Sequence, residues 1–220
     1  GEIVFCANWF PKSPVYPDFK YPFFFASDAQ FWNYSDEFAE GFIEQICLNK
    51  SVECFFDISG KKAVRKIRNR EVRSFINKKT SYLYLNKSRP LWNAKEVFST
   101  DPLFPLKWGY SVIVDFCLPI AFFMGFKQVI LLGCDCDYKL QSQSNFSKSY
   151  FYDFEALPSR NQSYLNYQRD HRGLENRLEL WEQGYRKALL HFSKENRAII
   201  NSSRHTLLKS IPREPLENFL

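Results

Sequence analysis

Apolar residues fall along this chain in two patterns, and their alternation predicts its elements. Runs with little polar interruption, EIVFCANW (2–9), PFFFAS (22–27), VECFFDIS (52–59), SYLYLN (81–86), KQVILLG (127–133) and RAIIN (197–201), have the length and the β-branched or aromatic content of buried strands. Segments with helical spacing lie between them. Asp36 and Glu37 open one that runs to about residue 48, with acids in the first turn, where the helix dipole favours them. Val64, Ile67, Val72, Phe75 and Ile76 mark a second over 61–79. Leu174, Leu178, Trp181, Tyr185, Leu189 and Phe192 mark a third over 174–192. Residues 112–125 are apolar on nearly every side, which predicts a helix buried between layers. Pro119 inside it costs about 3 kcal/mol in a regular helix interior and predicts a kink.

Strands alternating with helices predict an α/β fold, a single doubly wound, mostly parallel, Rossmann-like sheet in one domain over 1–220. In such sheets ligands bind beyond the carboxyl ends of the strands. That rule selects Asn8, Ser27, the segment Cys134 to Tyr138, and Asn201. The polar stretch KLQSQSNFSKS (139–149) opens a loop to about residue 170 that is expected to be mobile.

Composition narrows the class. With 220 residues, 45% hydrophobic and 18% aromatic, including 23 Phe, the chain has the material for a packed core and does not read as disordered. Its charge of +6 is local, because segment 61–79 holds nine Lys or Arg against Glu71 alone. That segment carries +8 and the remainder carries −2, so a partner chosen by charge meets this patch and nucleic acid is not expected. The six cysteines stand in apolar surroundings and read as reduced thiols. Six Asn-x-Ser sequons, such as NYS (33–35) and NSS (201–203), are also what an Asn- and Ser-rich chain produces without secretion. Before Glu2 stands no signal peptide, and the run at 112–126 is too short to span a bilayer and carries Asp115, so the expected location is cytoplasmic. Gly1 directly before a strand reads as an expression scar or as the cut end of a longer chain.

The stretch LLGCDCDYK (131–139) holds the densest candidate chemistry. Structural zinc needs a second cysteine pair, which the chain lacks, and a redox pair would want C-x-x-C at a helix start. Cys134 and Cys136 therefore read as packing residues. Asp135 and Asp137, alternate in a strand, would share a face and accept hydrogen bonds from sugar hydroxyls, or else cap a turn. His171, beside Asp170 and just ahead of the long helix, is a candidate general base or a surface residue.

The segment GYSVIVDFCLPIAFFMGFKQVILLGCDCDY resembles the central motif of bacterial lipooligosaccharide sialyltransferases and of related 6-hydroxymethylpterin diphosphokinase-like proteins. IVFCANWF with FFFASDAQFW, and DHRGLENRLELWEQGYRKALLHFSKENRAIINSS, extend the likeness over most of the chain. The resemblance implies a modified nucleotide-binding fold of the glycosyltransferase A-like type and a CMP-activated acidic sugar as donor, with no permanently bound cofactor and no metal. It implies Asn8, Ser27, Ser111, Gly133, Cys134 and Asp135 on the nucleotide and His171 as the base. Tyr138, Tyr150, Tyr152 and Lys107 would stand by the leaving phosphate. Two departures stand out. The family's first strand and its GNGPS turn are absent, as if the chain began at the second strand, and its phosphate-side arginine is at best a lysine.

The leading expectation is transfer of a sialic acid or Kdo-like sugar to a glycan or glycolipid, with loop 139–149 closing over the donor. Segment 61–79, by default a solvated face, would on this expectation lie against an anionic membrane at its inner face or a lipid-linked glycan, and the reading admits a homo-oligomer. The alternatives are a Mg²⁺-dependent diphosphokinase, with Asp135 and Asp137 on the metal, and a non-catalytic nucleotide-binding or assembly protein.

Overall fold

Alternate side chains of a strand point to opposite faces, so an uninterrupted apolar run must be covered on both. In the computed structural model, residues 2–27, 36–58, 60–61, 70–83, 85–86, 98, 100–102, 106–107, 111–136 and 174–220 are described. The chain divides into two compact units, Gly1–Phe123 and Met124–Leu220. Both combine helices with parallel strands, an α/β architecture.

In the first unit the runs form β1 (Phe5–Ala7), β2 (Phe23–Ala26), α1 (Asp36–Cys47), β3 (Glu53–Asp57), α2 (Arg70–Lys79) and β4 (Thr80–Leu83). The four strands pair in that order and all run parallel. Cys6, Phe24, Ala26, Cys54 and Phe56 pack on one face with Phe42, Ile43 and Ile46 of α1 and Ile76 of α2. Phe5, Phe23, Phe25 and Phe55 occupy the other, with Val112, Phe116 and Ile120. Phe25 and Phe55 are register partners and stack at 4.9 Å. The expected strand 81–86 divides into β4 and β5 (Leu85–Asn86), and β5 pairs parallel with β6 (Leu106–Lys107). Of the basic segment, 70–79 is helical, with Glu71 in its first turn and Lys78 and Lys79 in its last, as the dipole favours. Residues 62–69 lie outside the described residues.

The helix that covers the second face begins wide. Leu118 N–H reaches back five residues to the Ile113 carbonyl, a π-turn over Ile113–Cys117, before α3 (Leu118–Phe123) continues in regular form. Pro119 has no N–H, and its ring crowds the carbonyl four residues back, that of Asp115; a wider turn just ahead relieves both problems. The expected kink thus takes the form of a π-turn. From Val112 to Phe122 every residue except Ile113 is buried. Gly125 then reverses the chain at φ 82°, a value a side chain would resist.

The three-proline loop between β1 and β2 folds as two 3₁₀ turns, Phe10–Lys12 and Tyr16–Asp18, each with proline near its start. Asn49 fastens it. Its Nδ2 donates to the carbonyls of Tyr16 at 2.9 Å and Phe19 at 2.8 Å, and its Oδ1 accepts from Ser51 N–H at 3.0 Å. Tyr16 Oη donates to the Ile46 carbonyl.

In the second unit β7 (Gln128–Leu131) pairs parallel with β8 (Ala198–Asn201), and α4 (Leu174–Lys194) buries Tyr185, Ala188 and Phe192 in the unit's core, where Ile199 and Ile200 of β8 are also buried. The buried Glu182 carboxylate accepts the backbone N–H groups of Lys209 and Ser210, fixing the C-terminal segment to that helix. Among the described residues no helix is long and apolar enough to cross a membrane.

Asn49→Ala should cost about 1–3 kcal/mol in urea unfolding, because the Phe19 carbonyl loses the amide donor and the Tyr16 carbonyl keeps only the Phe19 N–H. An unchanged midpoint would show that these bonds contribute nothing.

Candidate functional site

Parallel strands deliver their carboxyl ends to one edge. In the first unit Asn8 follows β1 directly, with φ 55°, and its N–H donates to the Phe25 carbonyl at 3.3 Å. Asparagine is among the few side chains that tolerate this left-handed conformation. Ser27 follows β2 and is half-buried. Lys107 closes β6 opposite Asn86 of β5, and the helix begins at Ser111, four residues on. Ser111 Oγ accepts the Val114 N–H at 3.2 Å, a capping bond that occupies one lone pair of the hydroxyl. Asn8, Ser27, Lys107 and Ser111 therefore all stand at or just past the carboxyl end of a parallel strand.

Sequence reasoning gave no site role to two carboxylates in this unit. Asp57, at the end of β3, is fully buried, and its Oδ1 accepts the Gly60 N–H at 3.2 Å. Asp115, in the π-turn, is 5% exposed. A lone Asp within an apolar run, FFDIS and VIVDF, was the available signal, since burying a carboxylate is costly unless the fold supplies partners.

In the second unit the expected strand 127–133 stops at Leu131. Gly133 takes φ 67° and Cys136 φ 54°, which ends extended structure, so the alternation that would set Asp135 and Asp137 on one strand face does not apply. A loop held from several sides takes its place. Cys134 N–H donates to Ser203 Oγ at 2.9 Å, Thr206 Oγ1 donates to the Cys134 carbonyl at 2.8 Å, and Leu207 N–H donates to the Asp135 carbonyl at 2.8 Å. Asn201, selected with the pocket residues, is instead fully buried. Its Nδ2 donates to Thr206 Oγ1 at 3.2 Å and its Oδ1 accepts the Ser203 N–H at 3.0 Å. Tyr138, Tyr150, Tyr152, His171, Asp137 and the loop 139–170 lie outside the described residues.

All six cysteines are free thiols, five of them buried and Cys136 partly so. Burial pushes the Cys134 thiol up to about 11, against a hydrogen bond from Tyr185 that pulls it down. Burial raises Cys136 to about 12, helped by the neighbouring Cys134, Glu182 and Asp135. Neither thiol is a ready nucleophile, since the thiolate is the reactive form. Among the described residues no group of three or more His, Cys, Asp or Glu is placed to hold a metal ion.

The chain matches no protein-family model, no curated protein and no solved structure. What its residues can do must be read from their placement: polar side chains and turn backbone at strand ends, suited to hydrogen bonding a ligand's hydroxyl and phosphate oxygens.

The thiols dictate an alkaline limit. Cys6, Cys47 and Cys136 rise from an ordinary 9.0 to about 12, and Cys134 to about 11, each chiefly through burial. Between pH 9 and these values the folded state holds protons that the unfolded state has released, so the stabilisation is complete below pH 9 and is lost as pH climbs through the window. Urea unfolding across a pH series should show stability falling by about 1.4 kcal/mol per pH unit for each such thiol. Flat stability up to pH 11 would contradict this.

Proposed function

We propose that this protein is a glycosyltransferase that moves a sialic acid or Kdo-like sugar from a CMP-activated donor to a cell-surface glycan or glycolipid, on a doubly wound, Rossmann-like fold. The observation that supports this most is positional. Asn8, Ser27 and Ser111 in one unit, and Gly133 to Asp135 in the other, each lie at or just beyond the carboxyl end of a parallel strand, where α/β sheets take their ligands. The resemblance to lipooligosaccharide sialyltransferases supplies the chemistry.

In that chemistry the acceptor hydroxyl attacks the anomeric carbon while the bond from that carbon to the phosphate oxygen of CMP breaks. His171 takes the hydroxyl proton. Tyr138, Tyr150, Tyr152 and Lys107 serve the departing phosphate, whose growing charge is what such donors stabilise. Neither a metal nor a bound cofactor is part of this scheme. The basic face of 61–79, of which Lys61, Arg70 and Lys78 are exposed, would rest on an anionic membrane surface at its inner face.

Calorimetric titration of CMP in the presence of EDTA should give binding, and His171→Ala should lower transfer by about 10²- to 10⁴-fold while leaving CMP affinity within about twofold. ATP binding that requires Mg²⁺ would replace this reading with the diphosphokinase one. Absence of all nucleotide binding would leave an assembly role.

A further inference from the structure

Beyond Asn201 the chain turns across the end of β7. Ser203 Oγ and Thr206 Oγ1 bond the N–H and the carbonyl of Cys134, and between these two anchors lies a bend formed by Arg204 and His205. Both residues are exposed, and among the described residues neither side chain makes a hydrogen bond or an ion pair. Arg213 supports the bend from the far side, its Nη2 donating to the carbonyls of Ser203 at 3.1 Å and Arg204 at 3.3 Å. From 201 to 213 the chain carries Arg204, His205, Lys209 and Arg213 and no acidic residue. Glu182, the buried acid below, is occupied by the N–H groups of Lys209 and Ser210.

We infer that the Arg204–His205 bend binds the phosphate of an anionic ligand at the carboxyl edge of the β7–β8 pair. Three properties recommend it. A guanidinium offers a planar fork matched to two phosphate oxygens, and an imidazole N–H adds a third donor. A backbone pinned on both flanks loses little freedom when a ligand is bound, so less of the contact energy is consumed by ordering. Asp135, whose carbonyl is tied to the same segment, brings a carboxylate to the neighbouring loop, a natural acceptor for sugar hydroxyls attached to that phosphate. The inference deepens the nucleotide-sugar reading and rests on it for the sugar and the base, but not for the phosphate.

The test uses the whole chain at low ionic strength, with CMP, cytidine and inorganic phosphate titrated separately into wild type and into the double variant Arg204→Gln/His205→Gln. Both side chains are exposed, so thermal unfolding of the variant should match wild type. CMP and inorganic phosphate should each bind the variant about tenfold or more weakly, the loss expected for charge-assisted bonds, while cytidine binding is unchanged. Lys194→Gln, which removes one charge at the opposite end of β8, should change nothing. CMP binding that the double variant retains would overturn the inference and leave the transferase reading standing. Phosphate binding that the variant loses, without any preference for CMP over other nucleotides, would keep the anion site and remove the donor assignment. A wild-type chain that binds neither CMP nor phosphate would overturn the inference outright.

Discussion

Four neighbouring strands that all run parallel must be covered on both faces, and the first unit meets this requirement with phenylalanine. Phe25 stacked on Phe55, with Phe5 tilted against the first and Phe23 edge-on to the second, makes one aromatic surface. Phe24 and Phe56 make the other, with Phe42 of α1 against Phe24. Such rings bury a large area with only two rotatable bonds each, so the surface is both strongly apolar and firm. One side of the helix at 112–123 matches that surface, with Val112, Phe116 and Ile120 against it. Its π-turn accommodates Pro119, which has no N–H to give and whose ring would crowd a regular turn.

Where the chain leaves a helix or a strand, backbone groups need partners that the element no longer provides. Both units answer with the same local chemistry. Asn49-Lys50-Ser51 and Asn201-Ser202-Ser203 each fold so that the asparagine Oδ1 accepts the N–H two residues on, while Nδ2 donates to the Tyr16 carbonyl from Asn49 and to Thr206 Oγ1 from Asn201. Two of the six Asn-x-Ser triplets are thus turn-forming units inside the fold, with asparagines 1% and 0% exposed. Glu182 plays a comparable part with a carboxylate, holding the backbone N–H groups of Lys209 and Ser210.

The sequence was most legible where one physical demand dominated. Phe23–Ala26 and Ala198–Asn201 were readable as strands because each is an apolar run bounded by polar or turn residues, and α4 because its apolar stripe keeps helical spacing over many residues. Pro119 announced a distortion without revealing its form, which depends on what the π-turn packs against. The segment after Leu131 was not legible. Gly133 can turn left-handed, but nothing local marks Cys136 for the same conformation, and the bonds that hold this loop come from residues about seventy positions later. Asn201 was misjudged for a related reason: the edge rule locates a residue but not the direction of its side chain, and Thr206 decides that direction. Arg204 and His205 lay beyond the last predicted strand, in a stretch with no periodicity to draw attention to it.

The closure of β8 has a further consequence in chemical time. An asparagine followed by serine ages by attack of the next backbone nitrogen on the side-chain amide, forming a succinimide and releasing ammonia. At Asn201 both partners in that reaction are restrained: Ser202 N–H is held by the Leu131 carbonyl at 2.9 Å, and the amide is held by Ser203 and Thr206. Deamidation there is therefore gated by local opening of the strand end, so the lifetime of this bond in a resting sample is a clock for how often the second unit breathes.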